Sequence, residues 1–156
     1  MVMKLSRYLL LATGIIFVAI QFIRSERNKN EQPSPTDITK TLTVPDSVLV
    51  ILKNACYDCH SNNTDYPWYS NIEPIGWLLA RHITHGKDEL NYSEFGTYAT
   101  RKQLSKLDEI EDVINDDIMP LPSYRLMHKK ARLEKNEKAL LINWLHYSKE
   151  SLPATN

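Results

Sequence analysis

Asp46-Ser47-Val48-Leu49-Val50-Ile51-Leu52-Lys53-Asn54-Ala55-Cys56-Tyr57-Asp58-Cys59-His60 is the stretch on which this 156-residue chain turns. Its last five residues form a C-x-x-C-H pentapeptide that contains both cysteines of the chain. That pattern is a c-type haem attachment signal, and shuffling the composition would produce it in only roughly 4 of 10,000 sequences. Two thiols about one helical turn apart can add to the two vinyl groups on one porphyrin edge. The imidazole that follows at once is carried under the ring centre, where a neutral ring nitrogen binds iron. Cys56 and Cys59 are therefore the expected covalent anchors of one haem c per chain, and His60 the expected proximal axial ligand. An iron-bound histidine usually donates its other N–H to a carbonyl or carboxylate, and Pro67 and Pro74 offer nearby carbonyls. Asp46 is a good N-cap for a helix that delivers Cys56. The β-branched run also fits a short buried strand by period, but a terminal helix is what places the thiols one turn apart.

Two other chemistries suit a C-x-x-C. A thioredoxin-type pair would shuttle between dithiol and disulfide, but it needs a βαβ context that the surrounding chain lacks. A zinc-stapled binding module would use Cys56, Cys59, His82 and His85 as a Cys2His2 tetrahedron, although the gap to His82 is longer than in common zinc fingers.

Iron in an electron carrier takes a sixth ligand. Met119 sits in Ile118-Met119-Pro120-Leu121-Pro122 directly after a helical pattern, where two prolines stiffen the loop. A thioether presented there would raise the haem potential, while the bland alternative is a methionine packed in the core. His82 is the rival distal ligand or a propionate partner, though a lone histidine on a helix face is more often a hydrogen-bonded core residue. An open iron position would instead make a haem sensor or enzyme. The aromatic cluster at Tyr66-Pro67-Trp68-Tyr69 reads either as porphyrin packing, with Trp68 the candidate, or as ordinary loop packing. His85, His128 and His146 read as solvated surface, and Met127 lacks a rigid frame.

Beyond the pentapeptide the body reads as all-α. One helix opens at Glu73-Pro74-Ile75 with Pro at its first position and closes at Gly86 as a C-cap. Another spans about Gln103 to Asp117, with Leu104, Leu107, Ile110, Val113 and Ile114 recurring every three or four residues. The last follows Leu133, with Leu140, Leu141, Trp144 and Leu145 on one face, and ends near Lys149. The expected fold is a helical domain of about four helices around one haem, covering residues 45–149, with a short tail at 150–156.

Upstream lies an apolar run. Tyr8 to Ile23 is sixteen residues without a charge, flanked by Lys4 and Arg7 before and by Arg24, Arg27 and Lys29 after. At ~1.5 Å per residue it reaches ~24 Å, against a hydrocarbon core of ~30 Å. The run lacks a small-x-small cleavage pattern, so residues 1–24 read as an uncleaved single-pass signal anchor, with a cleaved signal peptide as the alternative. Basic residues on both sides leave the orientation open by charge. Haem c attachment takes place outside the bacterial cytoplasmic membrane, which puts the body in the periplasm. Residues 25–44, polar and holding Pro33 and Pro35, read as a flexible tether.

Charge is zero overall but divided: five basic and one acidic residue in 1–30 give +4, leaving fourteen basic and eighteen acidic, or −4, for the rest. No nucleic-acid surface is indicated, and the mildly acidic body suits a basic redox partner protein. No Ser/His/Asp arrangement or phosphate loop points to hydrolytic chemistry, so an electron carrier is expected rather than a catalyst.

The string from Cys56 to Thr64, followed by Tyr66-Pro67-Trp68-Tyr69-Ser70, resembles the bacterial haem-binding domain family of small exported proteins with one C-x-x-C-H. Trp77, His82, Gly86, Leu90-Asn91-Tyr92-Ser93, Met119-Pro120, Tyr124, His128, Ala131-Arg132-Leu133 and Trp144 extend the likeness from about Pro45 to Tyr147. Phe95 stands where the family pattern has Trp. The resemblance implies a single c-type haem in a cytochrome c-like helical domain.

Overall fold

The computed structural model describes residues 2–30, 32 and 34–153, with side chains from Leu5 onward. Pro33 of the expected tether, residues 154–156 of the expected tail and the side chain of Lys4 lie outside them. The described chain is helical throughout: α1 (Val2–Ile20), α2 (Ile38–Thr41), α3 (Asp46–Ala55), α4 (Tyr57–His60), α5 (Ile75–Glu89), α6 (Thr100–Asn115), α7 (Pro122–Met127) and α8 (Lys135–Ser151). Short 3-10 turns occupy Trp68–Asn71, Tyr92–Thr97 and Lys129–Ala131. Among the described residues the only β pairing is a single antiparallel bridge between Lys29 and Asn63. The expected four helices are present as α3, α5, α6 and α8, and the shorter ones arise in stretches read as loops.

In α3 the apolar residues fall at helical spacing, so Val48, Ile51, Leu52 and Ala55 are buried on one face despite the β-branched run. Pro45 takes the N-cap position and Asp46 begins the first turn, where its charge opposes the helix dipole. A break at Cys56 (φ −126°, ψ −45°) separates α3 from α4. It directs the next turn outward while Cys59 and His60 still donate to the Cys56 carbonyl at 3.2 and 3.0 Å.

At the start of α5 Pro74 is the N-cap, and the buried carboxylate of Glu73 accepts the Trp77 N–H at 2.8 Å. Gly86 does not end this helix. It lies inside it, where a Cβ would come within 2.7 Å of the Cys59 carbonyl oxygen. Its purpose is to let α5 pass directly over α4. Helix α8 is opened by reciprocal side-chain bonds between Glu134 and Glu137, the capping-box arrangement. It buries Leu141, Trp144 and Leu145, while Leu140, expected on the same face, is largely exposed.

The core joins α3, α6 and α8 through Leu52, Leu107, Ile110, Ile114, Leu141 and Leu145, and Phe95 enters it fully buried. The segment expected to be a flexible tether is part of this body. Ile38 has 0% exposure and Leu42 is buried beside it, because α2 lays both on the core. Gly96 N–H donates to the Thr36 carbonyl at 2.8 Å, and the Trp144 indole N–H to the Thr43 carbonyl at 3.0 Å.

Residues 21–30 are strapped to the body as well. Gln21 exchanges two hydrogen bonds of 3.0 Å with the Glu73 backbone. The Trp77 indole donates to the Ile23 carbonyl at 2.7 Å, and Arg27 lies over the Tyr66 ring while donating to Ser70 and Asn71. This capture of Gln21 stops α1 at Ile20, three residues before the apolar run ends. Among the described residues no helix is long and apolar enough to cross a membrane. The helix expected to span the membrane is present as α1, which ends before the apolar run does, with its side chains from Leu5 to Ala19 all exposed.

Candidate functional site

Each side chain of the C-x-x-C-H pentapeptide has a distinct fixture. Cys56 is the hinge between α3 and α4, with the Tyr92 hydroxyl bonded to its sulfur. Tyr57 donates to Asp37 at 3.1 Å and stacks on the Tyr92 ring at 5.1 Å. Asp58 accepts from the Tyr124 hydroxyl at 2.5 Å and from the Asp65 N–H at 3.0 Å. Cys59 packs under Gly86.

The His60 ring is set by its Nδ1, which lies 3.0 Å from the Leu90 carbonyl oxygen. A carbonyl only accepts, so Nδ1 carries the proton. Burial lowers the His60 pKa below its ordinary 6.5, which keeps the ring neutral at pH 7 and leaves the lone pair on Nε2. The orienting carbonyl belongs to Leu90, not to either proline expected from the sequence.

The thiols stay protonated. Burial pushes Cys56 up to about 12, and burial together with the Asp58 carboxylate pushes Cys59 up to about 11. A redox-active C-x-x-C requires the opposite shift, because only a lowered pKa supplies thiolate near neutral pH.

Cys56, Cys59, His60, His82, His85 and Met119 line one cleft of about 480 Å³, within the range of small-molecule sites. Its walls are otherwise mainly apolar: Ala55, Leu78, Pro120 and Leu121. A second hollow of about 200 Å³ adjoins it, sharing Cys56, His60 and Met119 and reaching Ile110, Val113 and Leu133. Met119 is carried by a turn fixed to the end of α6, where the Ile118 and Met119 N–H groups both donate to the Val113 carbonyl, at 3.0 and 3.1 Å. The cleft thus gathers two free thiols, one oriented neutral imidazole and one thioether against apolar walls. That donor set suits a metal porphyrin held at one edge and ligated by nitrogen.

Two of the alternatives open in the sequence find no support in this arrangement. Trp68 does not line the cleft: the residue is 73% exposed and its ring meets Tyr69 edge-on, in the turn Trp68–Asn71. The zinc staple also lacks its geometry, since among the described residues no three His, Cys, Asp or Glu side chains converge closely enough to hold a metal ion. Sequence reasoning also missed the setting of His128. It is stacked on Tyr124 at 4.1 Å, with Nε2 2.6 Å from the Tyr69 hydroxyl. The i, i+4 spacing of Tyr124 and His128 was the available signal. Tyr124 itself lines the cleft and ties α7 to the pentapeptide through Asp58.

Residues 15–147 match the family model of the haem-binding domain. No curated protein and no solved structure matches the chain.

Proposed function

The chain belongs to the haem-binding domain family, and from that premise we propose that it carries one haem c, attached through Cys56 and Cys59, and passes single electrons. The observation that carries the reading is the His60 ring. Its Nδ1 is committed to the Leu90 carbonyl and its neutral Nε2 is left for iron, in a cleft shared with both thiols. Bound haem supplies a one-electron iron couple, and the chain holds, orients and shields it.

Cys56 and Cys59, kept as thiols by burial, are the attachment points. The Leu90 carbonyl fixes the imidazole plane and raises its basicity as a ligand. Met119 would hold the iron together with His60, with His82 on the same cleft as its rival. Leu78, Pro120 and Leu121 limit water at the site, which favours the less charged reduced state.

Thioether-linked haem places the body outside the cytoplasmic membrane, in the periplasm of a bacterial cell. Helix α1, apolar and exposed from Leu5 to Ala19, serves as the export and anchoring segment. A redox partner protein docks on the body, whose mildly acidic net charge, −2 from Gln21 onward (17 basic, 19 acidic), favours a basic surface.

Expression with a c-haem maturation system should give red material whose Soret band stays with the protein through acid-acetone extraction. Its intact mass should exceed that of the bare chain by one haem. A colourless product of bare chain mass would refute the reading.

A further inference from the structure

We propose that Arg81 is the anchor for the two propionate carboxylates of the bound tetrapyrrole, an inference that rests on the haem reading above. Charge in the cleft is distributed unevenly. Among its lining residues Arg81 alone carries a permanent positive charge, while Asp58 and Glu89 are the acids.

The acids sit at the attachment end. Asp58 lies between the two cysteines, and Glu89 lies one turn past Gly86, the residue that passes over Cys59. Arg81 lies on the other side of Gly86, about 7.5 Å along the α5 axis at ~1.5 Å per residue. A porphyrin bonded by its vinyl edge to Cys56 and Cys59 carries its propionates on the opposite edge. That edge is repelled by Asp58 and Glu89 and reaches the part of the cleft where Arg81 stands.

Ionised carboxylates are costly on apolar walls and belong at a rim where water and a cation meet them. Arg81 is exposed where it lines the cleft, and among the described residues its guanidinium has neither a hydrogen bond nor an ion pair. A guanidinium presents a planar fork suited to carboxylates. The competing cation, Lys106 beside the second hollow, is already engaged by Glu109 at 2.6 Å and Glu89 at 3.8 Å.

The test uses the full haem-loaded chain, with its mass confirmed first. In Arg81→Gln the equilibrium constant for reduction should fall about threefold to tenfold at low ionic strength, tenfold being 59 mV for a one-electron couple. The propionate bending band in the resonance Raman spectrum should shift as well, which a charge acting only at a distance would leave unmoved. Arg81→Lys should recover most of the potential, and Lys106→Gln should change neither readout. An unmoved Raman band in Arg81→Gln, or effects that follow Lys106→Gln instead, would overturn the assignment while leaving the haem reading intact. A bare chain mass ends both.

Discussion

Around Cys56–His60 the side chains are held by partners from other parts of the chain: Asp37 at the N-cap of α2, Leu90 and Tyr92 after α5, and Tyr124 from α7. The turn that carries Met119 is fixed instead to its own helix, by two N–H groups on the Val113 carbonyl near the end of α6, and Ile118, Leu126 and Met127 around it are exposed while Pro120 is buried. One wall is continuous with the core and the other is a lip laid over it. Changes in the first should disturb cofactor retention and folding together. Changes in the second should alter what the iron senses while the fold stays in place.

The strongest way to break this contrast is the double change Cys56→Ser with Cys59→Ser. It should abolish haem retention through acid-acetone extraction, and any retained Soret band would show that attachment does not run through these sulfurs. Next comes Gly86→Ala, which sets a Cβ 2.7 Å from the Cys59 carbonyl oxygen. Urea unfolding should show a loss of about 1–3 kcal/mol with reduced haem loading. Unchanged stability would mean that α5 and α4 do not pass so closely.

On the lip, Met119→Ala should leave the far-ultraviolet circular dichroism intact and convert a six-coordinate ferrous spectrum into a five-coordinate one. If only His82→Ala produces that conversion, the histidine is the sixth ligand. A smaller effect concerns acid. The folded His60 pKa lies below its unfolded value of 6.5, so the haem-free fold binds that proton less readily than the unfolded chain does. Its contribution is therefore whole above pH 6.5 and is lost progressively below it. Melting curves should show wild type losing more stability than His60→Gln between pH 7.5 and 5. Smallest of all, Tyr69→Phe removes the contact with His128 and should cost about 1 kcal/mol by the same unfolding assay.

The pentapeptide was legible because its chemistry is local: the residue types and their spacing together define the donor set. Helices α3, α5, α6 and α8 were legible because burial imposes a 3.6-residue period on their apolar positions. What escaped was set at a distance or by atoms without a sequence mark. The Leu90 carbonyl is backbone, so no residue type announces it. Gly86 serves close approach as readily as it serves a helix end, and the residue alone does not separate the two. Trp68 belongs to an aromatic cluster whose members point different ways, Tyr69 toward His128 and Trp68 toward solvent. The stretch at 25–44 reads as a tether because it is polar on average, yet one fully buried isoleucine is enough to tie it down.

That isoleucine also says where the folding unit begins. A fragment cut at Pro45, the start suggested by motif and helix pattern, would leave the part of the core that Ile38 and Leu42 cover, beside the 3-10 turn Tyr92–Thr97, open to water. It would also strand the Trp144 indole, which donates to the Thr43 carbonyl. Such a piece would be prone to pair through the bared face, so oligomerisation seen in a trimmed version would report the trimming. Any version intended to behave as a monomer should keep the chain from Gln21 onward, strap included.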